Sequence, residues 1–176
     1  MEAKGKKASF STSGIAKIGI VASLYVALTL ILGPFGSGAI QFRLSEMFNF
    51  LAFYHRRYIW AVTIGCAIAN YFTYGLIDML IGASSSLVFL SLGIGLTKKM
   101  EGKRWKCKKV SINLRFLVFS VFFSLSMITI AFMLHYIYGV PHLLLIWLTT
   151  GLGEFISLFI GMIMIEQVAL RIDFTK

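Results

Sequence analysis

The chain has 176 residues, of which 58% are hydrophobic and only 14% charged, with a mean hydropathy of +0.83 and a net charge of +10. A soluble domain normally carries about 25% charged residues, so the composition excludes one and implies an integral membrane protein. The aqueous loops are too short for a folded soluble module, which leaves a single membrane domain over residues 1–176.

In chain order, a Lys-rich leader, Met1 to Lys7, precedes an apolar run over about 12–32. A basic start before an apolar core also describes a signal peptide, and Gly36, Ser37, Gly38 and Ala39 are small enough for cleavage. The run is long for a signal core, however, and approaches the roughly 20 residues of a spanning helix. It carries Gly19, Ser23 and Ala27 at four-residue spacing, which clears a groove along one helix face for another backbone. The occupant is either a helix of the same chain or a second membrane subunit.

Gly33, Pro34, Gly36 and Gly38 end this helix in an uncharged loop over 33–41, because Pro lacks a donor and Gly tolerates positive φ. That loop is expected to gate a site beneath it. A second helix over about 42–55 is too short to span unaided; on it Arg43 and Glu46 share a face, with Asn49 one turn further on. The two charges either satisfy each other or look into a polar cavity. His55, Arg56 and Arg57 then form a basic turn flanked by Tyr54, Tyr58 and Trp60, amphipathic aromatics of the kind found at headgroup level.

The third helix, over about 59–76, carries Asn70 with Tyr71 and Tyr74 beside it, and Asp78 and Gly82 mark the next turn. The fourth, over about 79–97, opens with Ser84, Ser85 and Ser86, whose hydroxyls either meet ligand or bond back to their own helix. The loop from Lys98 to Lys109 is strongly basic. A Phe-rich fifth helix over 114–138, a turn at Val140 and Pro141, and a sixth helix over 142–170 with Trp147 and Glu154 complete the chain. Cys66 lies in an apolar segment and Cys107 in the basic loop, too far apart in depth to pair, so neither a disulfide nor a metal site is expected.

The expected fold is therefore all-α and membrane-embedded, with six transmembrane helices and both the N- and C-termini cytoplasmic. With that topology sixteen of the seventeen Lys and Arg residues fall on the inside, only Arg43 lying elsewhere. Such a bias follows the positive-inside rule and accounts for the basic charge without nucleic acid. Arg43, Glu46, Asn70 and Asp78 then converge on the outer half of the bilayer, where buried polar groups need a cavity or a partner. Trp147 and His142 enter from the same side, and Glu154 falls near the midplane, roughly 18 Å down, either in the site or paired with another helix. There is no convincing nucleophile–base pair for an enzyme, and polar groups confined to one side argue against a channel.

Arg43-Leu44-Ser45-Glu46 after a Gly-rich first loop, then Ala69-Asn70 followed by Gly75, Asp78 and Gly82, resembles the QueT family over essentially the whole chain. These are high-affinity substrate-binding S-components of energy-coupling factor (ECF) transporters, with queuosine precursors as their assigned substrate class. The resemblance implies capture of a scarce micronutrient from outside. It also implies docking of the first helix onto a transmembrane T-component coupled to two ATPases, which would hold ATP and magnesium; this chain has no phosphate loop and needs no cofactor of its own. Gly19, Ser23 and Ala27 stand where such families carry an Ala-x-x-x-Ala docking motif, with the first two positions not alanine.

A queuosine precursor is a 7-deazaguanine-type base, sometimes with an aminomethyl cation. The resemblance thus implies Glu46 or Asp78 on the base's donor edge and Asn70 or Arg43 on its carbonyl. Tyr74 or Trp147 would stack on the ring, leaving another acid for the aminomethyl group. An S-component or secondary transporter for another small vitamin-like molecule is the alternative.

Overall fold

The computed structural model describes residues 11–36, 42–107 and 110–175. Its elements are α1 (Thr12–Gly36), a 3-10 helix η1 (Leu44–Phe53), α2 (Arg57–Tyr74), α3 (Leu76–Leu96) and a short 3-10 turn η2 (Lys98–Met100). Strands β1 (Arg104–Cys107) and β2 (Val110–Asn113) follow, then α4 (Leu114–Leu125), α5 (Ile128–Tyr136) and α6 (Leu143–Ala169). The leader Met1–Lys7 and most of the expected gating loop, 37–41, lie outside the described residues.

Four segments are long and apolar enough to cross a membrane: Thr12–Gly33, Leu76–Leu96, Leu114–Tyr136 and Leu143–Ala169. They expose large apolar side chains such as Ile31, Leu80 and Leu144 on the outside of the bundle, where lipid, unlike water, imposes no penalty. This is a multi-pass helical membrane protein. One antiparallel hairpin interrupts it, pairing Trp105 with Ile112 inside what the sequence marks only as a basic loop. Arg104 fastens that hairpin to the end of α6 through a 3.1 Å ion pair with Glu166.

The segment expected as a helix over 42–55 is instead a ten-residue 3-10 helix. At about 2.0 Å per residue it reaches roughly 20 Å, further than an α-helix of that length. Its three-residue period stacks side chains at i and i+3, so Glu46, Asn49 and Ala52 form one row, all buried. Helices α1, α2, α3 and α6 pack around this element. Its lower half enters an aromatic cluster, with the Phe50 ring 4.7 Å from Phe116 and 5.7 Å from Phe119. Close approach on the other side depends on Gly161 of α6, where an added Cβ would lie 2.5 Å from Met47 Cβ and 2.7 Å from its Cα.

Two further boundaries move for visible reasons. Gly75, at φ +95°, ends α2 and lets α3 begin at Leu76. Asp78 therefore falls in the first turn of α3, where a carboxylate complements the helix dipole. The single helix expected over 114–138 is broken between α4 and α5. There the ladder tightens, with Met127 N–H donating to the Ser124 carbonyl at 3.2 Å and Thr129 N–H to the Ser126 carbonyl at 3.1 Å. The Ser120, Ser124 and Ser126 hydroxyls donate to carbonyls three or four residues back, a pattern that bends helices.

The Gly161 contact is testable by thermal unfolding in detergent. Gly161→Ala is expected to lose about 1–3 kcal/mol, since the clash is with backbone and cannot relax cheaply. Gly19→Ala, whose Cβ would meet nothing within 4 Å, is expected to be neutral or slightly stabilising. Equal losses in both variants would contradict this packing.

Candidate functional site

The site begins where η1 begins. Arg43 precedes its first turn and is held twice: its backbone N–H donates to Ser157 Oγ of α6 at 2.9 Å, and its Nη1 donates to Asn70 Oδ1 of α2 at 3.3 Å. Its guanidinium also lies 5.6 Å from the centroid of the Tyr74 ring, within cation–π range. One turn on, the buried Glu46 carboxylate accepts from two donors, the Tyr25 hydroxyl of α1 through Oε1 and Asn49 Nδ2 through Oε2 at 2.8 Å.

Asn70 is fixed by both its atoms. While Oδ1 accepts from Arg43, Nδ2 lies 3.4 Å from both Cys66 Sγ and the Asp78 carbonyl. Gly82 of α3 makes room for it, as a Cβ there would stand 2.2 Å from Nδ2. Ser86 points its hydroxyl at Cys66 Sγ, and Ser85 shares a 3.1 Å hydrogen bond with Thr129 of α5. Both serines thus face across the bundle, not back along α3.

These groups enclose one cup lined by Arg43, Glu46, Cys66, Ser86, Thr150 and Glu154, with Met127 at the α4–α5 break closing one side. Glu154 of α6 is 3% exposed and its Oε1 has no hydrogen-bond partner. A buried carboxylate oxygen left without a donor is costly, and this one borders the cup. The space between the walls admits a water-sized occupant in this conformation and is too small for a bicyclic ring.

Of the expected site residues, Arg43, Glu46 and Glu154 line the cup, Asn70 stands behind its wall bonded to Arg43, and Tyr74 backs Arg43 from a neighbouring hollow. Asp78 stands outside the cup, its Oδ2 accepting from Tyr138 at 2.5 Å while its carbonyl faces Asn70. Trp147 also lies apart: its indole Nε1 donates to the Leu125 carbonyl at 3.1 Å, an acceptor freed by the helix break. Gly19, Ser23 and Ala27 line the outer face of α1, with both Ser23 and Ala27 exposed. Tyr25, Thr150 and Ser157 escaped the sequence argument. The available signal was spacing, since Thr150 and Ser157 sit four before and three after Glu154 on one helix.

A family model described as "QueT transporter" matches residues 15–169 of this chain. The chain is also 45% identical over 168 residues to the protein named queuosine precursor transporter QueT from Lactococcus lactis subsp. cremoris (strain MG1363), covering 94% of this chain and 97% of that protein. No solved structure matches it.

The Tyr25–Glu46 link ties α1 to η1 and has a measurable consequence. Tyr25→Phe is expected to lower stability by about 1–3 kcal/mol, because it strips a buried carboxylate oxygen of its donor while leaving the ring packed. A melting temperature unchanged in lipid-free detergent would show that the bond carries no weight.

Proposed function

The chain belongs to the QueT transporter family, and from that premise we propose that it is the substrate-binding S-component of an ECF-type importer that captures a queuosine precursor from outside the cell. The proposal rests on one observation above the others: a guanidinium and two carboxylates, Arg43, Glu46 and Glu154, converge on a single buried cup inside an apolar bundle, with the Asn70 carboxamide behind the wall holding Arg43.

The chemistry of a 7-deazaguanine-type base suits that set. Its ring N–H and exocyclic amine form a paired donor edge, which a carboxylate accepts as a pair. Glu154 is the better candidate for this role, since its Oε1 lacks a donor while both Glu46 oxygens already have one. Arg43, positioned by Asn70, supplies donors for the base carbonyl. Tyr74 holds the Arg43 guanidinium, and the face of its ring is available for stacking once Arg43 turns to the ligand. Asp78 and Trp147 act at the edges, Asp78 through Tyr138 and Trp147 by pinning the break between α4 and α5.

Admission of the base requires the cup to widen. The segment best placed to move is α5, which is set off from α4 by the tightened turn at Ser126–Met127 and tethered at its far end by the Tyr138–Asp78 hydrogen bond. The loop over 33–41 would complete the lid. In this account both termini are cytoplasmic and six segments traverse the bilayer, with η1 and α2 joining the four long spans. The exposed Gly19–Ser23–Ala27 face of α1 would receive the T-component, and two ATPase subunits with their ATP and magnesium would drive release inward.

A second reading, an S-component or secondary transporter for another vitamin-like molecule, keeps the same cup and changes only its ligand. Calorimetric titration of the purified protein with 7-aminomethyl-7-deazaguanine and with riboflavin as an unrelated nutrient separates the two. We expect the deazaguanine alone to bind, and Glu154→Gln and Asn70→Ala each to weaken it about tenfold or more, equivalent to about 1.4 kcal/mol. Unchanged affinity in Glu46→Gln, Asn70→Ala and Glu154→Gln would remove the cup from the account. Co-purification of ATPase subunits is expected, and transport by the isolated chain would instead favour a secondary transporter.

A further inference from the structure

At the end of the bundle opposite the cup's mouth, a second and much roomier crevice opens between the end of η1, the start of α2, the end of α3 and the start of α4, about 920 Å³ including its open mouth. Its rim carries Arg56, Lys98 and Arg115 against a single acid, Glu101. His55 joins them as a hydrogen-bonding ring whose pKa is lowered by partial burial and by neighbouring Arg57 and Lys17.

Arg115 makes this a built site and not merely a basic surface. It is 9% exposed, its guanidinium lies 4.8 Å from the Phe53 ring centroid, and one Nη reaches Glu101 at 3.4 Å. Glu101 itself is 69% exposed, and the buried Nε of Arg115 has no partner. A guanidinium paired to an exposed acid, with two further cations on the same rim, suits an oxyanion.

Below the rim the crevice turns apolar. Ala52, Phe53, Ile59 and Ile94 line it, and Ser91 and Gly95, one turn apart on α3, leave an open strip where a Cβ on Gly95 would touch nothing within 4 Å. Tyr54 and Tyr58 stack edge-on or tilted against Phe174 nearby, and Trp105 is exposed, an aromatic girdle of the kind that marks headgroup depth. Charge above and greasy groove below, at that depth, match one amphiphile.

We propose that this crevice seats the phosphodiester headgroup of an anionic phospholipid, with Arg56, Lys98 and Arg115 around the phosphate and the first methylenes of an acyl chain along Ser91 and Gly95. Basic pockets between helices on the cytoplasmic side of a membrane are suited to such headgroups. The lipid would brace the junction of η1, α2, α3 and α4 from the side away from substrate.

Native mass spectrometry of the protein in detergent, with dioleoyl phosphatidylglycerol or dioleoyl phosphatidylcholine added, tests the site. The wild type is expected to retain phosphatidylglycerol about tenfold better than phosphatidylcholine. Arg56→Gln with Lys98→Gln is expected to abolish the preference, whereas the charge-matched pair Lys99→Gln with Lys103→Gln, outside the crevice, keeps it. Gly95→Leu, which fills the apolar strip without touching charge, is expected to lose phosphatidylglycerol too, and serves if the first pair misfolds. Equal losses in the two charge pairs would reduce the effect to general surface attraction and overturn the proposal. So would inorganic phosphate competing as well as the lipid, which would make this a free-phosphate site, or equal retention of the two lipids.

Discussion

The structure depends on how one carboxylate is kept in an apolar bundle. Glu46 lies on a 3-10 helix surrounded by α1, α2, α3 and α6, and both its oxygens are satisfied, by Tyr25 from α1 and by Asn49 from the next turn. Without those donors an acid at that depth would be costly. With them it becomes a fixed post, and the winding of η1 puts Glu46 and Asn49 three residues apart along one side, with Arg43 just before its first turn. Arg43 then reaches Asn70 on α2 and Ser157 on α6, so a single short helix organises polar groups from three others.

Satisfaction is not shared equally, and the inequality points to the function. Asn70 is held on every side, whereas Glu154 presents an oxygen without a donor to the same cup. A wall that is rigid on one side and chemically incomplete on the other is preorganised for a ligand rich in donors. The proposed route of entry is the break at Ser126–Met127. It divides a spanning helix into two pieces and leaves the Leu125 carbonyl to Trp147.

Much of this was legible in the residues. The membrane class followed from composition, and placing rare polar groups in apolar runs singled out Arg43, Glu46 and Asn70, of which the first two line the cup and the third bonds to Arg43. Glu154 could be placed only by depth, and depth alone left open whether it paired with another helix. What escaped detection was decided by tertiary contact. Periodicity cannot tell a 3-10 helix from an α-helix over ten residues, and the break in the fifth helix accompanies serine hydroxyls bonded back to the backbone, with the freed carbonyl taken by Trp147 22 residues away. Tyr25 reads as an ordinary aromatic in an apolar helix; only the fold reveals that its hydroxyl meets Glu46, 21 residues on. Asp78 and Trp147 were assigned to the site by their side of the membrane, but each is engaged with a neighbour outside the cup.

The most direct test is to identify what the protein carries. Purified from cells grown with a limiting supply of queuosine precursor and then denatured, it should release a 7-deazaguanine-type base in near-equimolar amount, identified by mass spectrometry. Release of a different vitamin in that amount, with no deazaguanine detected even after the purified protein is saturated with one and washed, would contradict the account.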